Sequence, residues 1–461
     1  MTDPLLLEIQ AALGSDAMRF GAAIPERNRA DMSGASPVLP LALVLPRTVE
    51  DVSKILELCN AHRRPVVPQG GMTGLVTGAH PKADEIAISL ERMTGVEEID
   101  HASGTLTALA GTPLQVIQEA AHDAGLMVGI DLGARGSCTI GGNVATNAGG
   151  NQVLRYGMTR PNVLGLEAVL ADGQILRSLN KMMKNNTGYD WTQLMIGSEG
   201  TLGIVTRVVL SLHPRPATID AALVAVPDTA AAIALLRHLE LRLPGDLLVF
   251  EAMWSEFYTI ATKTMGHTAP LPVGNDLILL IEASSAAGAL VEALSAAQDA
   301  GHLTDAVIAR SEADRMTFWK LRESVYEYSH HFPPTIGFDV SIPLNRMPEA
   351  IEGLRRRFTE DFPGQPWVVF GHLADSNIHV NMMPESSLPD ARKRIEKVVY
   401  GVVKDLKGSI SAEHGIGCLK APYLGLSRTP DEIELMVAIK RTFDPNGILS
   451  PGRVFAKDNN E

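Results

Sequence analysis

Residues 131–157 read DLGARGSCTIGGNVATNAGGNQVLRYG, with seven glycines in 27 positions. That density predicts neither a helix nor a regular strand, because glycine in either costs roughly 0.5–1 kcal/mol relative to alanine. The stretch holds only three charged residues, Asp131, Arg135 and Arg155, so it does not read as a solvated linker. What remains is main chain wrapped closely around a large ligand. Ser137, Thr139, Asn143, Thr146 and Asn147 stand ready to hydrogen-bond it. A compact loop held by its own turns is the alternative for this stretch taken alone.

Two more glycine-rich loops lie on either side. Pro68-Gln69-Gly70-Gly71-Met72-Thr73-Gly74-Leu75 follows the strand pattern Pro65–Val67. Glycines there allow positive φ and let amides approach an anion closely. The loop has neither the lysine of a P-loop nor the spacing of a GxGxxG dinucleotide fingerprint. A plain turn would account for it if it stood alone. Gly197-Ser198-Glu199-Gly200-Thr201-Leu202-Gly203 opens another strand pattern. Three such loops in one domain favour a nucleotide-type cofactor over three unrelated turns.

The rest of the chain frames these loops. Its 461 residues predict two or three domains at roughly 150 residues each. With 45% hydrophobic residues there is apolar surface for a buried core, which excludes general disorder. The net charge of −13 argues against nucleic-acid binding and against attachment to anionic lipid. No stretch has the apolar length of a membrane span, and Met1-Thr2-Asp3-Pro4 lacks the start of a secretory signal. Three cysteines, Cys59, Cys138 and Cys418, are too far apart for a disulfide framework, so a reducing, cytoplasmic location is expected. A helical pattern (Leu5, Leu6, Ile9, Leu13) and a polar loop occupy 1–35. Strand Leu41–Leu45, a helix capped by Thr48, and strand Pro65–Val67 then form a βαβ unit. His213–Pro216 punctuates the chain. Two β-α-β passes follow, 221–250 and 277–309, and predict a ferredoxin-like sheet. From about 410 glycine-rich loops return.

Residues 367–383, WVVFGHLADSNIHVNMM, place turn chemistry between two apolar runs. A hairpin with Asp375-Ser376 at its tip would set His372 opposite His379, with Asn381 on the same face. Two imidazoles at cross-strand spacing suit one divalent metal, and Glu413 offers a third ligand. His414 beside it is an imidazole able to act as a general base. Either histidine alone reads as an ordinary half-buried polar residue.

With these parts assembled, the chain resembles the flavin-dependent 2-hydroxy-acid dehydrogenases of the vanillyl-alcohol-oxidase (PCMH-type FAD) superfamily. Its D-2-hydroxyglutarate and D-lactate dehydrogenases and the glycolate-oxidase flavin subunit are the groups concerned. The motifs are DLGARGSCTIGGNVATNAGG, LRYG, VLGLEAVLADG, NNTGYDWTQLMIGSEGTLGI, GHLADSNIHVN, EHGIG and FDPNGILSPGR, in that order from about 36 to 455.

The resemblance implies an α+β fold, with a two-part PCMH-type FAD-binding domain over 36–215 and a ferredoxin-like substrate (cap) domain over 216–410. A C-terminal segment, 411–461, would return to the flavin. It implies FAD contacts at Gly70, Gly71, Met72, Thr73, Gly74 and Leu75, where the pyrophosphate would sit. It adds Gly136, Ser137, Gly141, Gly142, Asn143, Thr146, Gly149, Gly150, Gly200, Ile204, Val205 and Asn446. It maps the metal ligands to His372, His379 and Glu413, with zinc the expected ion. It maps the catalytic base to His414 and substrate contacts to Arg322, Asn381 and Tyr326. Where the D-2-hydroxyglutarate enzymes carry a threonine and a lysine after the arginine, this chain has Tyr326 and Gly337. Loss of the lysine weakens the case for a second substrate carboxylate. No histidine or cysteine stands where covalent flavin attachment is usual, so FAD is expected to be non-covalent, with His80 the one candidate exception.

The implied reaction is oxidation of a D-2-hydroxy acid (D-2-hydroxyglutarate, D-malate or D-lactate class) to the 2-oxo acid, with hydride passing to flavin N5. The implied electron acceptor is an electron-transfer flavoprotein or a quinone, and the absence of a dinucleotide fingerprint argues against NAD. A homodimer is compatible with the sequence. Two other readings stay open here: a non-catalytic flavin subunit of a larger complex, and a metal-dependent hydrolase, which would leave 131–157 unexplained.

Overall fold

The computed structural model describes residues 3–332, 334–386 and 388–456. The outermost ends of the first and last expected segments, 1–2 and 457–461, lie outside the described residues. The chain forms two compact units. The first holds Met1–Gly150, Tyr156–Arg215 and Glu413–Glu461; the second holds Asn151–Arg155 and Pro216–Ala412.

The first unit begins with helix α1 (Pro4–Leu13), which buries Leu5, Leu6 and Ile9. These residues share one core with Val52, Ile55, Leu56 and Cys59 of helix α2 (Val49–Ala61). Thr48 starts α2 with a reciprocal cap to Asp51, satisfying amides at the helix end that lack intrahelical partners. A four-stranded sheet carries β1 (Met18–Arg19), β2 (Ala42–Val44), β3 (Val66–Gln69) and β4 (Ile86–Ser89) in the order β1-β2-β4-β3. β2 and β3 are each parallel to β4, so the expected βαβ unit forms with a third strand inserted between its two. The stretch expected as a polar loop before 35 instead supplies β1, antiparallel to β2.

A second, antiparallel sheet of the same unit has the order β5-β6-β10-β8-β9, with β7 on the far end of β10. Its strands are β5 (Val96–Asp100), β6 (Thr105–Leu109), β7 (Leu126–Val128), β8 (Val163–Val169), β9 (Ile175–Ser178) and β10 (Ile204–Pro214). Helix α3 (Leu114–Asp123) buries Leu114, Ile117 and Ala121 at helical spacing.

The second unit is one antiparallel sheet of seven strands, ordered β14-β11-β13-β12-β16-β17-β15. β11 (Asp220–Val226), β12 (Leu247–Trp254), β13 (Leu277–Ala283) and β14 (Asp305–Ile308), with helices Thr229–Arg242 and Ala289–Asp299 between them, give the order 4-1-3-2. That is the ferredoxin-like arrangement the two β-α-β passes predict. Three strands extend it at the β12 edge: β15 (Ile336–Ser341), β16 (Trp367–His372) and β17 (Asn377–Met382). The extension carries the histidines.

Candidate functional site

In the first unit the glycine-rich loops close on one another. A Cβ on Gly71 would stand 1.9 Å from Ser137 O, and one on Gly70 would stand 2.5 Å from Thr139 Oγ1. Loop 70–74 therefore touches 137–139 at a separation that only glycine permits. The stretch 131–157 is not helix-free. Ile140–Thr146 is a helix, α4, with Gly141 and Gly142 inside it, and Val153–Tyr156 adds a short helical turn. The reason is packing: a Cβ on Gly141 would lie 2.7 Å from that of Ala110, just past β6. Glycine costs about 1 kcal/mol in a helix interior but admits α4 against the sheet. Loop 197–203 then covers the end of α4. Gly197 N donates to Val144 O at 3.0 Å, and Glu199 N to Ala145 O at 2.7 Å. A Cβ on Gly200 would lie 2.5 Å from Pro68, which closes the ring of loops.

These loops suit a nucleotide cofactor. Among the described residues, the amides of 70–74 make no hydrogen bond to the protein, and Met72 takes φ +58°. Thr139 Oγ1 is buried without a partner, as a group shaped for a ligand would be. Two of the expected hydrogen-bonding side chains are used internally. Thr146 Oγ1 donates to Gly142 O at 3.0 Å, and Asn147 Oδ1 accepts from Arg160 N at 2.8 Å. Asn143, Gly149, Gly150, Gly200, Ile204 and Val205 are buried around this ring, while Gly136, Ser137 and Leu75 are exposed. Thr73 and Gly74 are half-buried. His80 Nδ1 lies 3.9 Å from Asp31 Oδ1.

The terminal segment joins the same unit. Both Glu199 carboxylate oxygens accept main-chain amides, from Ile416 and Gly417, each at 2.7 Å. Burial raises the Glu199 carboxyl above the ordinary range, against the pull of those two amides. Glu413 Oε2 accepts from Gly150 N at 3.0 Å. His414 is thus flanked by two anchors, with its Nε2 3.9 Å from Glu413 Oε1. Asn446 is not brought to the loops: it is exposed and donates to Asn60 Oδ1. Ser450 does reach them, donating through Oγ to Gly200 O at 3.3 Å.

In the second unit the histidines face one another. The hairpin register differs from the expected one: His379 pairs with Phe370, not His372. Leu373–Asp375 form a 3-10 turn and Ser376 takes φ +71°, so the connection is longer than a two-residue tip. A slip of two keeps every side chain on its own face. The imidazoles accordingly lie 5.4 Å apart with planes at 81°, and both are at least nine-tenths buried.

A carboxylate stands across from each ring. Glu251 of β12 pairs with His372, and Asp339 of β15 pairs with His379. Glu251 Oε1 is hydrogen-bonded to His372 Nδ1. An ionised carboxylate only accepts, so Nδ1 carries a proton, and in the neutral ring Nε2 is then the nitrogen with the lone pair. Arg322, the last residue of helix Glu312–Arg322, is buried rather than on the helix surface. Its Nε and Nη2 donate to Glu251 Oε2 at 2.8 and 2.7 Å. Its guanidinium lies 4.7 Å above the Phe370 ring. Burial alone would raise the Glu251 carboxyl; the charges of His372 and Arg322 and their hydrogen bonds outweigh it and hold it at about 2. Asp339 Oδ2 accepts from Ala412 N at 3.0 Å, and the next residue in the chain is Glu413. Asn381 shares the face of His379 and pairs with Gly337. Tyr326 is 65% exposed.

Sequence reading missed Glu199, Glu251 and Asp339. A signal existed for the last two, each a single acid within an apolar strand, LLVFEAMW and IGFDVS. An acid buried in a strand requires a partner.

Two family models match the chain: the FAD binding domain over residues 40–178, and the C-terminal domain of FAD linked oxidases over 215–454. The chain is 39% identical over 414 residues to D-2-hydroxyglutarate dehydrogenase, mitochondrial, of Bos taurus, covering 89% of this chain and 76% of that protein. It is 36% identical over 470 residues to the D-2-hydroxyglutarate dehydrogenase of Xanthomonas citri pv. viticola, covering 99% and 98%. The solved p-cresol methylhydroxylase with substrate bound has TM-score 0.79 at 16% identity, over 99% of this chain and 97% of that one; this likeness concerns the fold. The chain belongs to the FAD-linked oxidase family, with a PCMH-type FAD-binding fold. It is therefore an oxidoreductase whose cofactor is FAD. Among the described residues, no helix is long and apolar enough to cross a membrane.

Proposed function

We propose that this chain oxidises a D-2-hydroxy acid to the 2-oxo acid, with D-2-hydroxyglutarate the first candidate and D-malate and D-lactate the next. The observation that carries the reading is the buried Arg322–Glu251–His372 cluster beside His379 on one sheet face. The relatives, named D-2-hydroxyglutarate dehydrogenases, favour D-2-hydroxyglutarate. Gly337 supplies no cation at its position, which keeps shorter acids in contention.

His372, His379 and Glu413 are the proposed ligands of a divalent cation, zinc first. Two imidazoles and a carboxylate are a donor set such ions accept. The cation would supply Lewis acidity that lowers the pKa of a hydroxyl group. FAD, held without a covalent bond, supplies the two-electron oxidising power. His414 takes the hydroxyl proton as general base, a role worth about 10²–10⁴ in rate. Arg322 offers Nη1, the edge not directed at Glu251, to the substrate carboxylate. Asn381 orients the substrate by hydrogen bonding, and Tyr326 closes its outer side. Electrons leave to an electron-transfer flavoprotein or a quinone. We place the enzyme in the cytoplasm, as a homodimer.

The test is a panel of D- and L-2-hydroxy acids with a dye acceptor, with and without chelator. The reading expects turnover of D-acids only, lost on chelation while the flavin stays bound. Turnover of L-acids, or full activity after chelation, would sink the corresponding part.

A further inference from the structure

We infer that Glu251 is a positioning residue that sets two functional groups at once, the ligand nitrogen of His372 and the guanidinium of Arg322. The inference rests on the metal reading above and concerns residues of the second unit alone.

Each half of the Glu251 carboxylate has a separate task. Oε1 faces His372 Nδ1 across the β12–β16 pair. It fixes the tautomer, so that Nε2 is the ring atom left with a lone pair. Oε2 takes Nε and Nη2 of Arg322, which fixes the guanidinium plane over Phe370. Glu251 is 1% exposed, so bulk solvent does not reach either oxygen. One backbone position, held by the register Glu251↔His372, therefore couples a metal ligand to an anion-binding arginine.

The same helix provides an internal comparison. Arg315, seven residues before Arg322, is bound by Glu282 of β13 at 2.6 Å. Trp319 Nε1 donates to Glu282 Oε1 at 2.6 Å. Helix Glu312–Arg322 is thus tied to the sheet by two buried acids. Only Glu251 also holds a histidine. If Glu251 merely fastened the helix, removing its charge and removing that of Glu282 would have the same consequences.

The experiment compares Glu251→Gln, Glu251→Asp and Glu282→Gln with wild type. Chelator-stripped holoflavoprotein is titrated with Zn²⁺ alone, and KM and kcat are measured with D-2-hydroxyglutarate and D-lactate. Glutamine can present its amide nitrogen to His372, which does not enforce the tautomer, and it leaves Arg322 without a counter-charge. Glu251→Gln should weaken Zn²⁺ binding by about 10–100-fold, the usual cost of losing an outer partner of a metal-bound histidine, and should raise KM. Glu251→Asp, which keeps the charge, should recover part of both. Glu282→Gln should lower the melting temperature and leave Zn²⁺ affinity and KM near wild type.

If wild type takes up no Zn²⁺, the metal reading falls and this inference with it. If wild type binds and Glu251→Gln binds equally well with unchanged KM, the inference alone is overturned. The same holds if Glu282→Gln loses affinity as much as Glu251→Gln does. Should Glu251→Gln not fold, the Glu251→Asp and Glu282→Gln pair decides the matter: weakened binding in the first alone supports the inference, and equal binding overturns it.

Discussion

The loop ring of the first unit and the sheet face of the second are built from opposite materials. The ring is main chain against main chain. Gly70 and Gly71 lie on 137–139, Gly141 on Ala110, and Gly200 on Pro68. Its polar groups are chiefly amides and one orphan hydroxyl, Thr139 Oγ1. The sheet face is side chain against side chain: Arg322 on Glu251, Glu251 on His372, and His372 beside His379. The first arrangement suits a large group held by many weak, fixed dipoles. The second suits a small group held by a few strong charges. The contrast teaches that one chain can build two surfaces ready for ligands of different kinds, and it can be broken experimentally.

The largest expected effect is at His414. His414→Ala should lower kcat by about 10²–10⁴ while flavin absorbance per protein stays at the wild-type level. A mutant with normal kcat would remove the proposed base. Arg322→Ala comes next. It leaves Glu251 buried with half its partners, and breaking a buried pair from one side costs about 3–5 kcal/mol. His372 remains as a partner, so the loss should fall at the lower end, read by denaturant unfolding, together with a raised KM. Unchanged stability would mean water or another group reaches Glu251.

Gly71→Ala should act through the ring alone. The new Cβ would fall 1.9 Å from Ser137 O, and overpacking of this kind costs about 1–3 kcal/mol. The expected readout is a lower flavin-to-protein absorbance ratio with Zn²⁺ affinity intact; loss of Zn²⁺ with flavin retained would reverse the division of labour. The smallest effect is at Glu199. Burial raises its carboxyl above the ordinary 4.5. The folded chain therefore disfavours the ionised form, and stability falls as pH climbs from 4.5 toward the raised value. Glu199→Gln should remove that slope, so wild type loses ground to the mutant as pH rises through the window. If wild type instead gains, the amides of Ile416 and Gly417 outweigh burial.

Much of this was legible before any coordinates. Glycine density marked 68–75, 131–157 and 197–203 because close main-chain approach excludes other residues, and the structure brings all three together. The helix within 131–157 escaped for the same reason in reverse. Gly141 and Gly142 oppose a helix by propensity, and only contact with Ala110 explains their presence in one. The hairpin gave the two histidines a shared face, since a turn fixes parity. It did not give their register, which depends on how many residues the 3-10 turn at 373–375 absorbs. Asn446 is implied as a flavin contact by its motif, yet the fold leaves it exposed and bonded to Asn60.

The sequence by itself determined the family, the positions of the glycine-rich loops, the ferredoxin-like order of β11–β14 and the shared face of two histidines, because period, turn chemistry and glycine spacing are local properties. Only the tertiary structure decided which acids serve them. Glu251 is 121 residues from His372, and Glu199 is 217 from Ile416. No local pattern links positions so far apart. They meet because strand register and loop packing close the distance, and a buried charge is stable only where such a partner has been brought to it.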